Sequence, residues 1–264
     1  MNNISYYIDT ILIVTYNGFA KIEVLMNCYL NETTMLDFSS PNIKLLIKER
    51  GWNHLDEKDK VAEIYNFVKD EILFGYNVGD HVAASEVLKD GYGQCNTKGT
   101  LLMALYRACG VQCRIHCFYI DKILQKGAMT GFVYKKAPRD ILHSWVEVNC
   151  CGKWYNLEGF ILDKEYLDGL RKTVKANEDG SFIGYGVAVK DFENPVLYFD
   201  DCDTYVQSEG ITKDFGVYSD PDSMLKEHSQ KIRGLKKLAF ETIGRRSMNR
   251  NVAKIRAKAK QSRH

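Results

Sequence analysis

Between residues 56 and 73, apolar side chains recur at Val61, Ile64, Tyr65, Val68 and Ile72, with Asp, Glu and Lys between them. That 3.6-residue spacing predicts an amphipathic helix. A second helix is predicted over 95–109, where Leu101, Leu102, Leu105 and Ala108 share a face and Gly110 supplies the stop. The period then changes to two. VQCRIHCFYI, HSWVEVN and KWYNLE read as strands, with Cys151-Gly152 as a two-residue turn joining the last two. Asp220-Pro221 predicts a capped helix start, followed by an apolar face at Met224, His228, Ile232, Leu235, Leu238 and Ile243. A strongly basic helix is expected around MNRNVAKIRAKAK. Helices before and after a sheet give an α+β class.

The first 25 residues read as strand-like and rather apolar, and MNCYLNETTMLDFSSPNIKLLIKERGW as a helical start. Two readings stay open. Met26 is the true initiator and 1–25 an extension, or 1–25 adds one strand. The longest apolar runs, such as ILIV at 11–14, are far too short to span a bilayer, so no integral membrane contact is expected. The N-terminus lacks the basic start and small-residue cleavage pattern of a secretory leader, and a cytoplasmic location is expected.

Charge changes this picture at one end only. Residues 231–264 hold 12 Lys/Arg and one acid, Glu241, whereas residues 1–230 hold 24 bases and 33 acids, so the two parts carry +11 and −9. The basic tail is expected to dock on its own acidic body or to meet an anionic partner. No nucleic-acid motif accompanies it, and Val252 and Ile255 are few anchors for a membrane surface. The eight cysteines form no tight framework and no C-x-x-C pair. Cys109, Cys113 and Cys117 with His116 suggest a metal, but they straddle a predicted helix and strand; no metal is expected there.

Cys95 stands apart. It lies between a glycine-rich turn, GYGQ, and the start of a helix, where first-turn amides and the helix dipole favour a thiolate. The two-residue turn at 151–152 pairs residues whose numbers sum to 303, so His143 faces Phe160 and Glu158 becomes its diagonal neighbour. An imidazole and a carboxylate thus meet on one side of the sheet, within reach of a packed helix start. Cys95 as nucleophile, His143 as base and Glu158 as the group orienting the ring would perform acyl transfer. The Cys95 amide is a candidate oxyanion donor. Tyr76 and Tyr92 are aromatic candidates for the cleft.

The ordered motifs GYGQCNTKGTLLMALYRACGV, HSWVEV and GKWYNLE resemble the transglutaminase-like superfamily over roughly residues 55–165. The segment from GVYSDPDSMLKEH onward looks like the C-terminal part of bacterial stand-alone members. The resemblance implies a papain-like α+β fold, with the cysteine helix packed on an antiparallel sheet. The expected division is an N-terminal extension over 1–25, with Met26 as a possible alternative start, a transglutaminase-like catalytic domain over 26–205 and a basic helical C-terminal segment over 206–264. Cys95 falls on the family's nucleophile, His143 on its base and Glu158 on its aspartate. Glutamate there adds a methylene, and Asp163 is a nearby substitute. Asn96 stands where the animal cross-linking enzymes carry tryptophan. Those enzymes use calcium, but the chain has no EF-hand pattern, and the acidic run DDCD at 200–203 reads as a solvated loop, so no cofactor is expected. Resemblance to peptide N-glycanase is weaker, for want of its paired C-x-x-C motifs. The expected activity is cysteine-dependent cleavage or exchange of a peptide or protein amide through a thioester, chiefly as a hydrolase. The alternatives are protein-glutamine transamidation and a binding module that has lost turnover.

Overall fold

The computed structural model describes residues 28–229 and 244–260. The 1–25 segment, the Met26 start and the apolar positions Ile232, Leu235, Leu238 and Ile243 lie outside the described residues. The predicted helical start at 26 is not followed by a long helix: residues 31–40 are irregular, and helix α1 spans Pro41–Arg50. The polar run NETT and the proline explain the delay, since Pro is favoured in the first helical turn and disfavoured further in. Helix α2 spans Glu57–Asp70, its Asp56 cap accepting from the Asp59 amide at 2.9 Å. Val61, Ile64, Tyr65 and Val68 are all buried on it, as their period requires.

The stretch between α2 and Cys95 contains order of its own. Strand β1 (Leu73–Phe74) pairs in parallel with β2 (Tyr92–Gly93) around helix α3 (Ala84–Asp90). Helix α4 then runs over Cys95–Ala108 and is buried along nearly its whole length. Strand β3 (Cys113–Asp121), helix α5 (Gly131–Lys136), strand β4 (Asp140–Cys150), strand β5 (Lys153–Leu157) and helix α6 (Lys164–Arg171) come next. A small hairpin of β6 (Phe182–Gly184) and β7 (Val187–Val189) precedes strand β8 (Ile211–Tyr218) and helix α7 (Pro221–Glu227). Helix α8 covers Arg245–Ala259.

The central sheet is antiparallel throughout, in the order β5-β4-β3-β8. The fold is α+β, with helices before the sheet and helices after it. The β4–β5 register runs from Val146↔Leu157 to Cys150↔Lys153, the alignment that a Cys151-Gly152 turn demands. Both turn residues have positive φ, 52° and 82°. Helix α4 lies against β4, close enough that a Cβ on Gly99 would touch Val146 and Phe160.

The basic segment is not left in solvent as a whole. Met248, Val252 and Ile255 of α8 are buried, and α8 packs on α6 so closely that a Cβ on Gly169 would run into the Ile255 carbonyl oxygen. Arg256 grips the buried carboxylate of Asp163 through Nε at 3.0 Å and Nη2 at 2.6 Å, and also donates to the Phe74 carbonyl at 2.9 Å. Burial raises and the Arg256 guanidinium more than offsets, so the Asp163 carboxyl stays below its usual range. Asn249 bonds both backbone groups of Tyr76, accepting from its amide at 2.7 Å and donating to its carbonyl at 3.0 Å.

Candidate active site

Helix α4 begins at Cys95 because the preceding residue locks its first turn. The Gln94 amide donates to Thr97 Oγ1 at 3.0 Å, while Gln94 Oε1 accepts from the Asn77 amide at 2.9 Å. The Gln94 side chain is thereby spent on holding the 77–80 loop, to which its Nε2 also donates at Gly79 O and Asp80 Oδ1, both 3.3 Å. Cys95 is partly exposed, at the wall of a cleft of about 410 Å³.

His143 and Glu158 are both fully buried and bonded to each other, Nε2 to Oε1, at 2.7 Å. The added methylene of glutamate is accommodated at the end of β5, where the backbone turns away from the strand after Leu157. Its second oxygen, Oε2, accepts from the amides of Val206 and Gln207, each at 2.8 Å. Thr204 fixes the same point, its carbonyl accepting from the Glu158 amide at 2.9 Å and its Oγ1 lying 3.1 Å from that amide. The carboxylate is therefore held at both oxygens, and the ring is held by the carboxylate.

The other ring nitrogen of His143, Nδ1, is buried and has no hydrogen-bond partner. Cys95 lies within interaction range of this ring. Burial lowers the basicity of His143, but Cys95 and Glu158 together outweigh it and raise the imidazole pKa to about 9. The two segments are pinned beside each other by their neighbours in sequence: Ser144 Oγ donates to Asn96 Oδ1 at 2.8 Å. Asn96, itself buried, thus joins the start of α4 to β4.

Tyr76 and Tyr92 part company. Tyr76 lines the cleft, donates its hydroxyl to Gln125 Oε1 at 2.6 Å, and has its phenol pKa pushed up by burial and by nearby Cys95. Tyr92 is turned toward α8, its ring against Gly75 and its hydroxyl accepting from Arg245 at 3.3 Å. Asp80 lines the cleft; burial raises its carboxyl pKa against hydrogen bonds from Asn96 and Gln94. Asp163, the sequence's substitute for Glu158, does not reach the ring. It caps α6 at the Tyr166 amide, 2.9 Å, and binds the Phe74 amide and Arg256.

Burial pushes the Cys109 and Cys113 thiols up to about 11 and those of Cys117 and Cys150 to about 12. Cys109, Cys113, Cys117 and His116 do not converge on a common point among the described residues. His116 is bonded instead to Glu147 at 2.8 Å and Asp214 at 2.8 Å. In the acidic run, Asp200 and Asp201 engage Lys58, and Asp203 accepts from the Asn156 amide at 2.8 Å.

Sequence reasoning missed the amides of 206–207, the Asn96–Ser144 bond and Lys98. That lysine sits one turn after Cys95, fully buried, donating to the carbonyls of Lys69 and Ile161 at 3.1 Å each. Burial lowers its pKa to about 7. No helix among the described residues is long and apolar enough to cross a membrane.

Residues 48–159 match the family model described as the transglutaminase-like superfamily, a span that contains Cys95, His143 and Glu158. A crystal structure from Cytophaga hutchinsonii, provisionally assigned as a cysteine protease, is similar at a TM-score of 0.42 and 14% identity over 80% of this chain. The chain spans about half of that protein, 51% of its length. No curated protein matches the sequence.

Proposed function

We propose, from the match of residues 48–159 to the transglutaminase-like superfamily, that the chain is a cysteine-dependent acyl-transfer enzyme acting on a peptide or protein amide. The observation that carries this reading is the His143 ring, bonded through Nε2 to a fully anchored carboxylate at 2.7 Å and left with a buried, uncommitted Nδ1 in the range of Cys95. An imidazole so arranged has one nitrogen fixed by its orienter and the other free to exchange a proton with a thiol.

In this mechanism the Cys95 proton passes to Nδ1 of His143, giving a thiolate and an imidazolium stabilised by Glu158. The sulfur attacks the amide carbon, and the carbonyl π electrons move to oxygen. The Cys95 amide, a first-turn donor, stabilises that oxyanion. Collapse breaks the carbon–nitrogen bond as His143 returns the proton to the leaving amine, and a thioester remains. Water then attacks with His143 as base, releasing a carboxylic acid and restoring the thiol. Protein-glutamine transamidation takes the same path with an amine in place of water. Eight free thiols suit a reducing compartment, and the cytoplasm of a bacterial cell is the location we infer.

Rates of iodoacetamide labelling for each cysteine, measured from pH 5 to 9 with and without His143→Ala, test the reading. An ordinary thiol ionises near ~8.5 and a histidine-paired one reacts well below that. Cys95 should label fastest at acidic pH and lose the advantage without His143; equal behaviour of the accessible thiols would leave the binding-module reading in its place. A labelled-amine incorporation assay separates transamidation from hydrolysis.

One further observation favours a partner. Arg246, Arg250, Lys254 and Lys258 recur every four residues on the exposed side of α8, and none has an acidic partner among the described residues. With Val252 and Ile255 buried against the body, the outward face is cationic without apolar anchors. It suits an anionic surface, and elution from heparin should shift to lower salt when the four are changed to Gln. Unchanged elution would remove that partner.

A further inference from the structure

The end of β4 opposite His143 carries a second cluster of donor side chains that acyl transfer does not use. Cys150 closes β4, Cys151 opens the hairpin turn and Glu57 begins α2; one donor atom from each lies within 4.8 Å of the other two. Around a single zinc ion, thiolate sulfurs at about 2.3 Å and a carboxylate oxygen at about 2.0 Å stand roughly 3.5–4 Å apart. Small side-chain rotations therefore close the set.

The turn itself gives no reason for sulfur at this position. Cys151 has φ 52°, one of three non-glycine residues with positive φ among the described residues. A two-residue loop with both φ positive ordinarily takes Asn-Gly, Asp-Gly or Gly-Gly, residues that tolerate the left-handed region. Glu57 is already oriented toward the turn, its Oε1 accepting from the Cys151 amide at 3.0 Å, which leaves its other oxygen uncommitted among the described residues. Its neighbour Lys58 is taken up by Asp200 at 3.1 Å and Asp201 at 2.7 Å, so that positive charge is already balanced. Cys151 and Glu57 are exposed and Cys150 is buried, giving an ion one sheltered ligand and open access from solvent.

We propose that Cys150, Cys151 and Glu57 form a site for a thiophilic divalent cation of the zinc class, with water completing a four-coordinate shell. Two sulfur–metal bonds form as two thiol protons leave to solvent, so the ion is held by a dithiolate and one carboxylate. Bound there, it ties the β4–β5 hairpin tip to the first turn of α2. This site is independent of the chemistry at Cys95.

The test uses the full chain carrying Cys95→Ser, so that the Cys95–His143 pair cannot compete for the ion, reduced and stripped with a chelator. Titration with Cd²⁺, followed by cadmium–thiolate ultraviolet absorption, and equilibrium dialysis against Zn²⁺ should each find one equivalent bound. Adding Cys151→Ser should abolish the absorption and weaken Zn²⁺ binding about a hundredfold, and Glu57→Gln about tenfold, with unchanged circular dichroism. Absence of a bound equivalent in the parent, unchanged affinity in Cys151→Ser, or a Cys150–Cys151 disulfide that survives reductant would each overturn the site.

Discussion

His116 and His143 stand on the same face of the central sheet, linked through Phe118, which pairs with His143 across β3 and β4 and stacks on His116 at 4.3 Å. Each ring bonds a glutamate, at 2.8 Å for His116 and 2.7 Å for His143. Both imidazoles are more basic than an ordinary histidine, because carboxylate contacts, joined at His143 by Cys95, outweigh the effect of burial. The difference lies in the second nitrogen. His116 spends it on Asp214, and its Glu147 is shared with Arg114 at 2.6 Å, so the ring is a staple across three strands. His143 keeps its second nitrogen uncommitted. A histidine–carboxylate pair is thus common to both rings; the proposed chemistry rests on the nitrogen that His143 leaves uncommitted beside a thiol.

The sharpest way to break this comparison is to remove each ring in turn. His143→Ala should lower turnover by a factor on the order of 10⁴ to 10⁶. It should also slow Cys95 labelling at pH 6 about a hundredfold. His116→Ala should leave both within about threefold and cost stability instead. Matching losses in the two variants would show that the free nitrogen does not distinguish them. Next come the carboxylates. Glu158→Gln should cost on the order of 10³ to 10⁴ in turnover, through loss of ring orientation, and about 3 kcal/mol of stability from breaking a buried pair. Glu147→Gln should cost about 1–2 kcal/mol with Cys95 labelling unchanged.

A pH series sharpens the pair further. The folded pKa of His143, about 9, exceeds an unfolded value near 6.5. Its contribution is therefore fully present below about 6.5 and lost as pH rises through about 9. The stability gap between wild type and Glu158→Gln, read from urea midpoints, should narrow across that window; a gap that widens would contradict the raised basicity. Lys98 works in the opposite direction. Its folded pKa of about 7 lies below an unfolded value near 10.4, so it adds stability as pH rises between them. Comparing two chains that both keep Lys98 cancels that term. The smallest effect is expected for Asn96→Ala, which removes the bond to Ser144 and should slow Cys95 labelling by about tenfold through misplacement. No change would mean that the packing of α4 on β4 suffices.

What the sequence made legible was what short-range geometry dictates. The two-residue turn at Cys151-Gly152 sets the β4–β5 register, and that register carries Glu158 to the His143 side of the hairpin. Helices α2 and α4 arise from apolar period alone. What stayed hidden depended on long-range pairing or on the backbone. Strand β8, ITKDFGVY, is half exposed with little alternation, and its place beside β3 is fixed only by pairing across a bulge. The amides of 206 and 207 that hold Glu158 Oε2 carry no side-chain signature. Lys98 and Asn249 read as polar positions on helices that face water, yet both are committed to backbone groups of other segments. The two acids bonded to His116, Glu147 and Asp214, come from other strands and lie far from it in sequence.

The docking of α8 also has a consequence in time. Asn249 grips the backbone of Tyr76 at the cleft wall, and Arg256 grips Asp163 and the Phe74 carbonyl behind it. During synthesis a chain leaves the ribosome from its N-terminal end. Cys95, His143 and Glu158 therefore emerge well before the residues that brace the wall opposite them. A chain stopped near residue 244 reproduces that interval, and its Cys95 should label at a rate closer to that of an ordinary thiol; full reactivity there would show that the brace is not needed. Under the proposed acyl-transfer reading, Cys95 passes many amides of its own chain and of its neighbours during that interval, and the brace supplied by α8, which follows it in the chain, would hold back its reactivity until the cleft wall is set.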